Sequence, residues 1–472
     1  MEKKSGAKII QSLFDSDNVP KDAQKILQDF DQIAQASMPA NSKQLVALPK
    51  IIRELSHQMT DDRGARRLGY MNEKTFLASY VRYFMWWNLV RLTRLFANLD
   101  FCFLRDGAVC LDIGSGPLTL PCALWLSRPD LRQKKLVWYV MDISQLALSL
   151  GEEIFLSVAA ATGGEPWKIV RVKGPLGTAV KEKAAFVTCA NMFNEILQSQ
   201  SEPPDFLAKK YSQALFKYLD FAEQASPAIF LAEPGVPKSA RFVSLMRDSF
   251  IRRGLLAVAP CPHQQNCPMD GRRAGQNGAN GKWCNFAFET DDAPRKLLAL
   301  SEKAGIPKER AVISFVFARA ETGCKLKTGV ARELVASPKS GGRVSGKETV
   351  SAAETPCKPK TCGGLLRIAS DIIRVPADEP GQKPRIGHYA CSEQGLVLAL
   401  SSGGRRVYSG DLVEVGPRPS QEKISCNENQ SKLKNGRRDF GQENSSRPQR
   451  NLSKPTAPSL RDAKTGALIV EI

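Results

Sequence analysis

Three cysteines in one proline-flanked segment have the chemistry to bind a metal. Cys261 and Cys267 are separated by five residues. The third cysteine, Cys284, lies further along the chain, directly after Trp283. Thiolates on a loop stiffened by prolines are suited to metal binding, and the N–H groups left free beside them can bond to sulfur. Three thiols need a fourth ligand, and Cys391 is the residue predicted to supply it.

Two kinds of metal centre are compatible with this segment. Four thiolates suit either tetrahedral zinc or an iron–sulfur cluster. The five residues between Cys261 and Cys267 differ from a zinc ribbon, in which paired ligands are about two to four residues apart, and this favours iron–sulfur. His263 keeps an alternative open, because one histidine and three cysteines form an ordinary zinc site without Cys391.

Six of the other eight cysteines are weaker candidates for metal ligands by their positions in the sequence. Cys110, Cys122 and Cys189 fall on apolar strand or helix positions, which predicts buried thiols without a ligand. Cys324, Cys357 and Cys362 lie in a segment rich in Gly, Ser, Lys and Pro, which predicts a flexible linker.

A second constellation predicts a nucleoside-binding site. The run Leu111-Asp112-Ile113-Gly114-Ser115-Gly116 takes an apolar strand into an acidic residue and two glycines, which let the backbone approach a ligand closely. The next strand ends in Asp142, where an acid accepts hydrogen bonds from ribose hydroxyls. An aspartate such as Asp112, which stands just before the Gly-x-Gly turn, favours S-adenosylmethionine as the ligand. Leu118 stands where a methyltransferase is expected to have a third glycine, and its side chain is predicted to narrow the ligand site. The alternative is a fold that uses these glycines only for a tight turn.

Polar residues follow two further strands at the edge where substrates of such folds bind. Asn194 and Glu195 come after the strand that ends near Cys189, and Glu233 ends another strand. Glu195 or Asn194 could meet the methionine end of a cofactor or a target base. Equally, both residues could simply begin the next helix.

These residues require an α/β fold to position them. Short apolar runs alternate with helical stretches from Ala108 onwards, which predicts a doubly wound, Rossmann-like sheet of the class I methyltransferase type. Around it we expect a helical N-terminal region at 1–105 and a methyltransferase-like domain at 106–321 with a metal-binding insertion at 257–290. The arginines 82, 91 and 94 of the helical region could contact RNA, but a solvated helix face is the preferred interpretation. A flexible linker at 322–363, a small β module at 364–415 and a basic disordered tail at 416–472, with structure expected only in its last residues, Ala467–Ile472, complete the prediction. The predicted strands are Ala108–Ile113, Leu136–Met141, Ala185–Cys189, Ala228–Ala232 and Ile313–Ala318, then Leu365–Ile368, Ile372–Val375, Gly395–Leu400 and Asp411–Val415.

The charge of the chain favours a polyanionic partner. Its 472 residues carry a formal net charge of +19, which indicates nucleic acid as the commonest partner of such proteins. Residues 322–360 carry eight Lys or Arg against three Asp or Glu, and residues 416–461 carry ten against four, so a basic solvated tail explains over half of the excess. No apolar run long enough to cross a membrane is present, and the leader is weak, which favours the cytoplasm over a mitochondrion.

The two constellations together resemble the Rsm-twenty-two, or methyltransferase-like-seventeen, family of small-ribosomal-subunit proteins. The resemblance runs from about Tyr70 to Leu400 and is carried by the Asp112 glycine motif, by Asn194-Glu195-Ile196-Leu197, by Glu233-Pro234-Gly235, and by the Cys261 segment with Gly387-His388 and Cys391. It implies a four-iron–four-sulfur cluster held by Cys261, Cys267, Cys284 and Cys391, and S-adenosylmethionine near Asp112, Gly114, Gly116 and Asp142. Leu118 departs from the family pattern, as does Asn285, which stands where relatives more often have His.

Three functions follow as expectations. The resemblance implies a protein that binds small-subunit ribosomal RNA and ribosomal proteins and acts in ribosome assembly or translation, most simply as a monomer. A working S-adenosylmethionine-dependent rRNA methyltransferase, with Glu195 as the catalytic residue, is the first alternative. A zinc-stabilised RNA-binding protein without a cofactor is the second.

Overall fold

A computed structural model describes residues 7–60, 70–198, 200–222, 226–272, 280–321, 364–376, 384–401, 406–416, 461–462 and 464–472. The predicted linker at 322–363 and most of the predicted tail, 417–460, lie outside the described residues. Among the helices of the described part, none is both long enough and apolar enough to cross a bilayer.

The N-terminal region is mainly helical, but it begins with a strand, which the prediction of a helical 1–105 did not include. Tyr80–Met85 is a π-helical turn between the last two helices. The elements are β1 (Lys8–Ser12), α1 (Lys21–Gln28), α2 (Phe30–Ser37), α3 (Ser42–Thr60), α4 (Lys74–Ser79) and α5 (Trp86–Ala97).

The arginines of this region make protein contacts, contrary to the predicted solvated face. Arg82 is 6% exposed and donates to the carbonyl oxygen of Met38 at 2.6 Å. Arg91 donates to the carbonyl oxygen of Val312 at 2.7 Å, and Arg94 forms an ion pair with Asp292 at 3.0 Å. The segment from α4 to α5 is therefore packed on the rest of the protein through its arginine side chains as well as its aromatic ones.

The main sheet has eight strands and confirms the predicted Rossmann-like class I methyltransferase fold. Its order is β4-β3-β2-β5-β6-β9-β7, and β8 pairs with β9. The first five strands of that order are parallel, whereas β9 runs antiparallel to both β6 and β7. The strands are β2 (Val109–Ile113), β3 (Val137–Asp142), β4 (Lys168–Lys173), β5 (Phe186–Ala190), β6 (Ala228–Pro234), β7 (Leu255–Ala259), β8 (Phe286–Glu289) and β9 (Arg310–Ala320).

Helices cover both faces of this sheet, so its inner strands are apolar on both sides. Two apolar clusters result, one containing Trp125, Trp138 and Phe230 and the other containing Met141, Val187 and Phe242. The helices are α6 (Thr119–Ser127), α7 (Pro129–Arg132), α8 (Gln145–Thr162), α9 (Phe193–Ile196), α10 (Pro204–Phe216), α11 (Pro237–Arg252) and α12 (Arg295–Lys303).

A second sheet forms the β module, and it includes strands from both ends of the described chain. Its order is β1-β14-β10-β12-β13-β15, with β11 paired to β12, and β15 runs parallel to β13. The strand at 468–471 lies within Ala467–Ile472, the one part of the predicted tail in which structure was expected, whereas β1 differs from the predicted helical region. The further strands are β10 (Gly364–Ile368), β11 (Ile373–Val375), β12 (Arg385–Ser392), β13 (Gly395–Ser401), β14 (Asp411–Val415) and β15 (Leu468–Glu471).

The module shares apolar core with the methyltransferase-like body. Tyr389, Cys391 and Leu398 belong to the same buried cluster as Phe286. The Ser409 hydroxyl accepts a hydrogen bond from the Ala287 N–H at 3.1 Å. The predicted domain boundaries remain predictions, but the two sheets are packed against each other.

Candidate functional site

The glycine loop between β2 and α6 has the backbone that its sequence predicts. Gly114 and Gly116 have φ of 69° and 51°, in the left-handed region that favours glycine. A Cβ on Gly114 would lie 2.7 Å from the Cγ of Met192. Gly114 is therefore needed both for its backbone conformation and for the close approach of the segment that follows β5.

Leu118 keeps the left-handed backbone of the missing third glycine. Its φ is 56°, a conformation that costs a side-chain-bearing residue about 1–2 kcal/mol. The side chain is fully buried and packs against Gly151 of α8, where a Cβ would come within 2.6 Å of it. Leu118 does not line the adjoining cavity, so the expectation that it narrows the site was wrong.

Asp112 is buried beneath the loop and linked to two hydroxyl groups. Its carboxylate accepts hydrogen bonds from Ser115 Oγ at 2.6 Å and from Thr188 Oγ1 at 2.7 Å. Burial raises the pKa of Asp112 to about 7, and the two hydroxyl groups lower it only in part. The residue thus joins β2, β5 and the loop as well as bordering the cavity.

Asp142 lies at the end of β3 on the same side of the sheet. Its carboxylate accepts from the Gly116 N–H at 2.9 Å and from the Ser144 N–H at 2.8 Å. Burial raises the pKa of Asp142, and these backbone donors lower it. Each carboxylate oxygen has a second lone pair, so the acid can still accept from a ligand hydroxyl.

A cavity of about 350 Å³ opens at this edge of the sheet. Its volume is within the range of small-molecule sites, about 300–1,000 Å³. Its lining contains all four predicted cofactor-binding residues and also Glu195. It is lined by Tyr70, Met71, Tyr80, Asn88, Leu92, Asp112, Gly114, Ser115, Gly116, Thr119, Leu120, Asp142, Ile143, Ser144, Gly174, Pro175, Leu176, Ala190, Asn191, Met192, Glu195 and Ile196.

The sequence analysis did not identify the residues that close this cavity. Tyr70, Tyr80 and Asn88 belong to the N-terminal region, which was predicted as a helical arm and not as part of the site. The only sequence signal was the unusual density of aromatic residues between positions 75 and 99. That pattern shows an apolar helix face but does not indicate which surface the face covers.

The segment after β5 is positioned by a second buried carboxylate, that of Glu233. Glu233, which is 1% exposed, accepts from the N–H groups of Phe193 at 2.8 Å and Asn194 at 3.0 Å, at the start of α9. Burial raises the pKa of Glu233 to about 8. Asn194 and Glu195 therefore do begin a helix, as one interpretation predicted. Glu195 also lines the cavity, and its Oε1 lies 3.5 Å from the Tyr70 hydroxyl.

The predicted cysteine ligands are brought together by a chain of contacts. The Cys284 N–H donates to the carbonyl oxygen of Met269, two residues after Cys267, at 3.2 Å. Cys391 on β12 is paired with Arg367 on β10, and Arg367 Nε donates to the carbonyl oxygen of Pro260 at 2.7 Å. The segment containing Cys261 is thereby tied to the strand that carries Cys391.

The thiols are close enough to influence one another electrostatically. Burial raises the pKa of Cys284, and the neighbouring thiols of Cys267, Cys391 and Cys261 raise it further. Burial likewise raises the pKa of Cys267 to about 11, with Cys261 adding to the effect. None of the four is in a disulfide. Within the described ranges, however, no group of three or more His, Cys, Asp or Glu side chains is spaced to hold a single metal ion.

Two buried arginines flank the four cysteines. Arg247 on α11 donates from Nε to Cys261 Sγ at 3.2 Å and from its guanidinium to the carbonyl oxygen of His263 at 2.9 Å. Arg367 also donates to the Gly410 carbonyl oxygen at 2.6 Å and to Gln11 Oε1 at 2.9 Å. It therefore joins the cysteine segment, β10, the turn before β14 and β1.

The other sulfur and imidazole candidates occupy different environments. Cys110, Cys122 and Cys189 are fully buried. Cys324, Cys357 and Cys362 lie outside the described residues. His263 is 3% exposed, and burial lowers its pKa to about 4, so its imidazole is neutral. Its Nδ1 has no hydrogen-bond partner in the part of the chain described here.

A protein-family comparison matches half of the chain. The model of the mitochondrial small ribosomal subunit Rsm22 family matches residues 106–345. The chain belongs to this family. The family description is mitochondrial, which agrees with the alternative localisation and not with the preferred cytoplasmic one. No curated protein matches the chain.

Solved structures of methyltransferases resemble the chain only distantly. Magnesium protoporphyrin IX methyltransferase from Synechocystis PCC 6803 with bound SAH is 11% identical and covers 58% of this chain and 100% of its own, with a TM-score of 0.30. A SAM-dependent methyltransferase from Geobacter sulfurreducens is 13% identical, covers 50% and 90%, and has a TM-score of 0.28. An RNA methyltransferase from Salinibacter ruber is 15% identical, covers 26% and 64%, and has a TM-score of 0.18. The assignment of the fold accordingly stands on the order and direction of the strands.

The buried carboxylate of Asp112 predicts a pH dependence of stability. In the unfolded chain this acid loses its proton near pH 3.8, whereas in the folded chain it keeps the proton up to about pH 7. The folded state therefore binds more protons between these values, and stability falls as the pH rises through the window. We expect Asp112→Asn, whose amide can accept from one hydroxyl and donate to the other, to flatten this fall.

The measurement is the free energy of unfolding by urea between pH 5 and pH 8. The matched control is Asp106→Asn, because Asp106 is an exposed aspartate that accepts the Lys135 N–H at 2.7 Å away from the cavity. An Asp112→Asn profile parallel to that of the wild type would show that Asp112 does not titrate in this range.

Proposed function

We propose that this chain is an RNA-binding, methyltransferase-like protein of the small ribosomal subunit, located in the mitochondrion, whose cavity binds S-adenosylmethionine. The observation that carries the cofactor assignment is the cavity at the end of β2 and β3, with the glycine loop and Asp142 in its wall. Family membership carries the ribosomal part of the proposal.

The cavity has groups for each part of a nucleoside. Asp142 supplies carboxylate oxygens where ribose hydroxyls would lie. Ile143, which is 46% exposed, and Leu176 offer apolar surface on which an adenine ring can pack. Gly116 lets the backbone come close to the sugar without a side chain intervening. S-adenosylmethionine carries no pyrophosphate, so the site does not need a third glycine.

The charge supports RNA as the macromolecular partner. Eleven of the nineteen excess positive charges lie in the segments 322–360 and 416–461. Such segments bind phosphates through release of counterions, so binding weakens steeply as salt is raised. This arrangement suits contact with ribosomal RNA in a way that does not depend on its base sequence.

The preference for an iron–sulfur cluster over zinc rests on the five residues between Cys261 and Cys267, which are more than a zinc ribbon usually has between paired ligands. A tetrahedral zinc site holds each sulfur about 2.3 Å from one ion, which brings all four within about 4 Å of one another. In a four-iron cluster each cysteine sulfur binds a different iron, so the four cysteine sulfurs lie further from one another than they do around a single zinc ion. We propose that Cys261, Cys267, Cys284 and Cys391 hold a four-iron–four-sulfur cluster, which would supply a covalent link between the cysteine segment and β12. Arg247, through Nε, would donate to the thiolate of Cys261.

A second function is supported by Glu195. Its side chain lines the cavity on the side reached by the segment after β5, next to the Tyr70 hydroxyl. A carboxylate there could accept a proton from a nucleophilic nitrogen of an RNA base during methyl transfer. The second candidate is therefore an active rRNA methyltransferase that uses the same cavity.

Cofactor binding is tested with Asp142→Ala. We expect the variant to bind S-adenosylhomocysteine about tenfold more weakly, because hydrogen bonds from ribose to a charged acceptor are lost. Isothermal titration calorimetry on the full chain measures the dissociation constant. Asp106→Ala is the control, and it should bind as the wild type does. Absence of binding by the wild-type protein would contradict the cofactor assignment.

The cluster is tested by metal analysis after anaerobic purification. We expect about four iron and four sulfide per chain in the wild type, and loss of both in Cys391→Ala. Cys122→Ala is the control, since it removes a buried thiol from α6 and should keep the iron. Stoichiometric zinc with no iron in the wild type would contradict the cluster.

Methyl transfer separates the two functions. Protein incubated with labelled S-adenosylmethionine and small-subunit ribosomal RNA should transfer no label if the chain is purely an RNA-binding factor. If the chain is an enzyme, Glu195→Gln should lower the rate at least about 100-fold while leaving cofactor affinity nearly unchanged. Transfer by the wild type that survives in Glu195→Gln would contradict the catalytic role of Glu195.

A further inference from the structure

Within the part of the chain that the structure describes, no side chain caps the N-terminus of α6. Leu118 precedes the helix and contributes no side-chain hydrogen bond to it. The first helical residues, Thr119 and Leu120, line the cavity, and the third is Pro121, which has no N–H. The first N–H groups of a helix require acceptors and carry partial positive charge. The wall of the cavity therefore presents donors at this point.

Asn88 contributes a second, independent donor to the same wall. It lies on α5, which packs along α6, and it is 6% exposed while lining the cavity. Its Oδ1 accepts a hydrogen bond from the Arg91 guanidinium. Arg91 is itself held by the carbonyl oxygen of Val312. A guanidinium has only donors, so the contact fixes which end of the Asn88 amide is the oxygen.

The remaining polar group of Asn88 is its amide NH₂. Across the residues that the structure describes, this nitrogen donates to no protein acceptor. Because the Asn88 side chain is largely buried and lines the cavity, its NH₂ group is available to an acceptor on a ligand bound there. The Asn88 NH₂ and the uncapped N-terminus of α6 together favour an anionic ligand group between them.

The position of this wall indicates which part of a ligand it would meet. Asp142 ends β3, Ile143 follows it and Gly174 follows β4, and these two strands lie together on one side of β2 in the sheet. Asn88 lies on α5, which precedes β2, and Thr119 begins α6, which follows β2 and packs against α5. A nucleoside over β3 and β4 would extend its 5′ substituent towards α5 and α6.

We propose that the Asn88 amide, oriented by Arg91, and the first N–H groups of α6 bind the carboxylate of the methionine part of S-adenosylmethionine. This inference rests on the proposed cofactor. Donors are needed at this place because Glu195 also borders the cavity and would repel an unpaired carboxylate. The same acid is suited to the ammonium group of the ligand.

The test compares two ligands that differ only in the amino-acid part. S-adenosylhomocysteine carries the carboxylate and the ammonium, whereas 5′-methylthioadenosine keeps the nucleoside and the sulfur but has neither. For Asn88→Ala in the full chain, calorimetry should show S-adenosylhomocysteine bound about tenfold more weakly and 5′-methylthioadenosine bound with nearly unchanged affinity. Unchanged binding of 5′-methylthioadenosine also shows that the variant is folded.

Two control variants and one variant that adds a negative charge at position 88 make the test specific. Asp142→Ala should weaken both ligands, since both contain ribose. Asn98→Ala should weaken neither, because Asn98 caps α5 through the carbonyl oxygens of Asp15 and Arg94. Asn88→Asp should weaken S-adenosylhomocysteine more than Asn88→Ala does, by repelling the carboxylate.

Several outcomes would overturn the inference. Equal weakening of both ligands in Asn88→Ala, or of neither, would contradict a role in binding the carboxylate. Tighter binding of S-adenosylhomocysteine by Asn88→Asp would place the ammonium there instead. Wild-type protein that binds neither ligand would overturn the proposed cofactor and this inference with it, and that result is distinct from all the others.

Discussion

Two buried carboxylates and a half-buried one hold the edge of the sheet in the shape that a ligand requires. Burial raises the pKa of Asp112, Asp142 and Glu233, and each of them accepts two hydrogen bonds from neighbouring segments. Without those bonds the loops after β2, β3 and β5 would have no fixed relation to one another. Residues that the sequence marks as ligand-binding therefore also have a structural role. The donors are Ser115 and Thr188, Gly116 and Ser144, and Phe193 and Asn194.

The β module depends on protein contacts as well as on any inorganic centre. Arg367 is 2% exposed and bonds to three separate segments of the chain. Lys282 lies 4.0 Å from the centroid of the Tyr389 ring, which links the cysteine segment to β12 by a cation–π contact. Trp283 Nε1 donates to the carbonyl oxygen of Gly235 at 3.1 Å, so the same segment also contacts the edge of the main sheet. A cluster would reinforce a docked module and would not be needed to bring it there.

The sequence predicted the parts of the fold that local patterns encode. The strands that carry Asp112 and Asp142 are apolar runs, the first is followed by a glycine turn, and this pattern is specific enough to predict a ligand site at their ends. It could not show that Tyr70 and Asn88 close the cavity, because helical periodicity does not indicate which surface a face covers. The prediction that Leu118 narrows the ligand site was wrong for another reason. A left-handed residue with a side chain is tolerated only because Gly151, more than thirty positions later, leaves space for it.

The two outer strands of the second sheet come from residues 8–12 and 468–471, so its edges are closed by segments more than 450 positions apart. During synthesis β1 cannot pair until β14 has been made, and β13 has an unpaired edge until β15 has been made. Open edges can pair with other chains, and contacts of such long range form slowly. A nascent chain would thus expose unpaired backbone until β15 has been made, and chaperones that bind extended segments would have that entire interval in which to act.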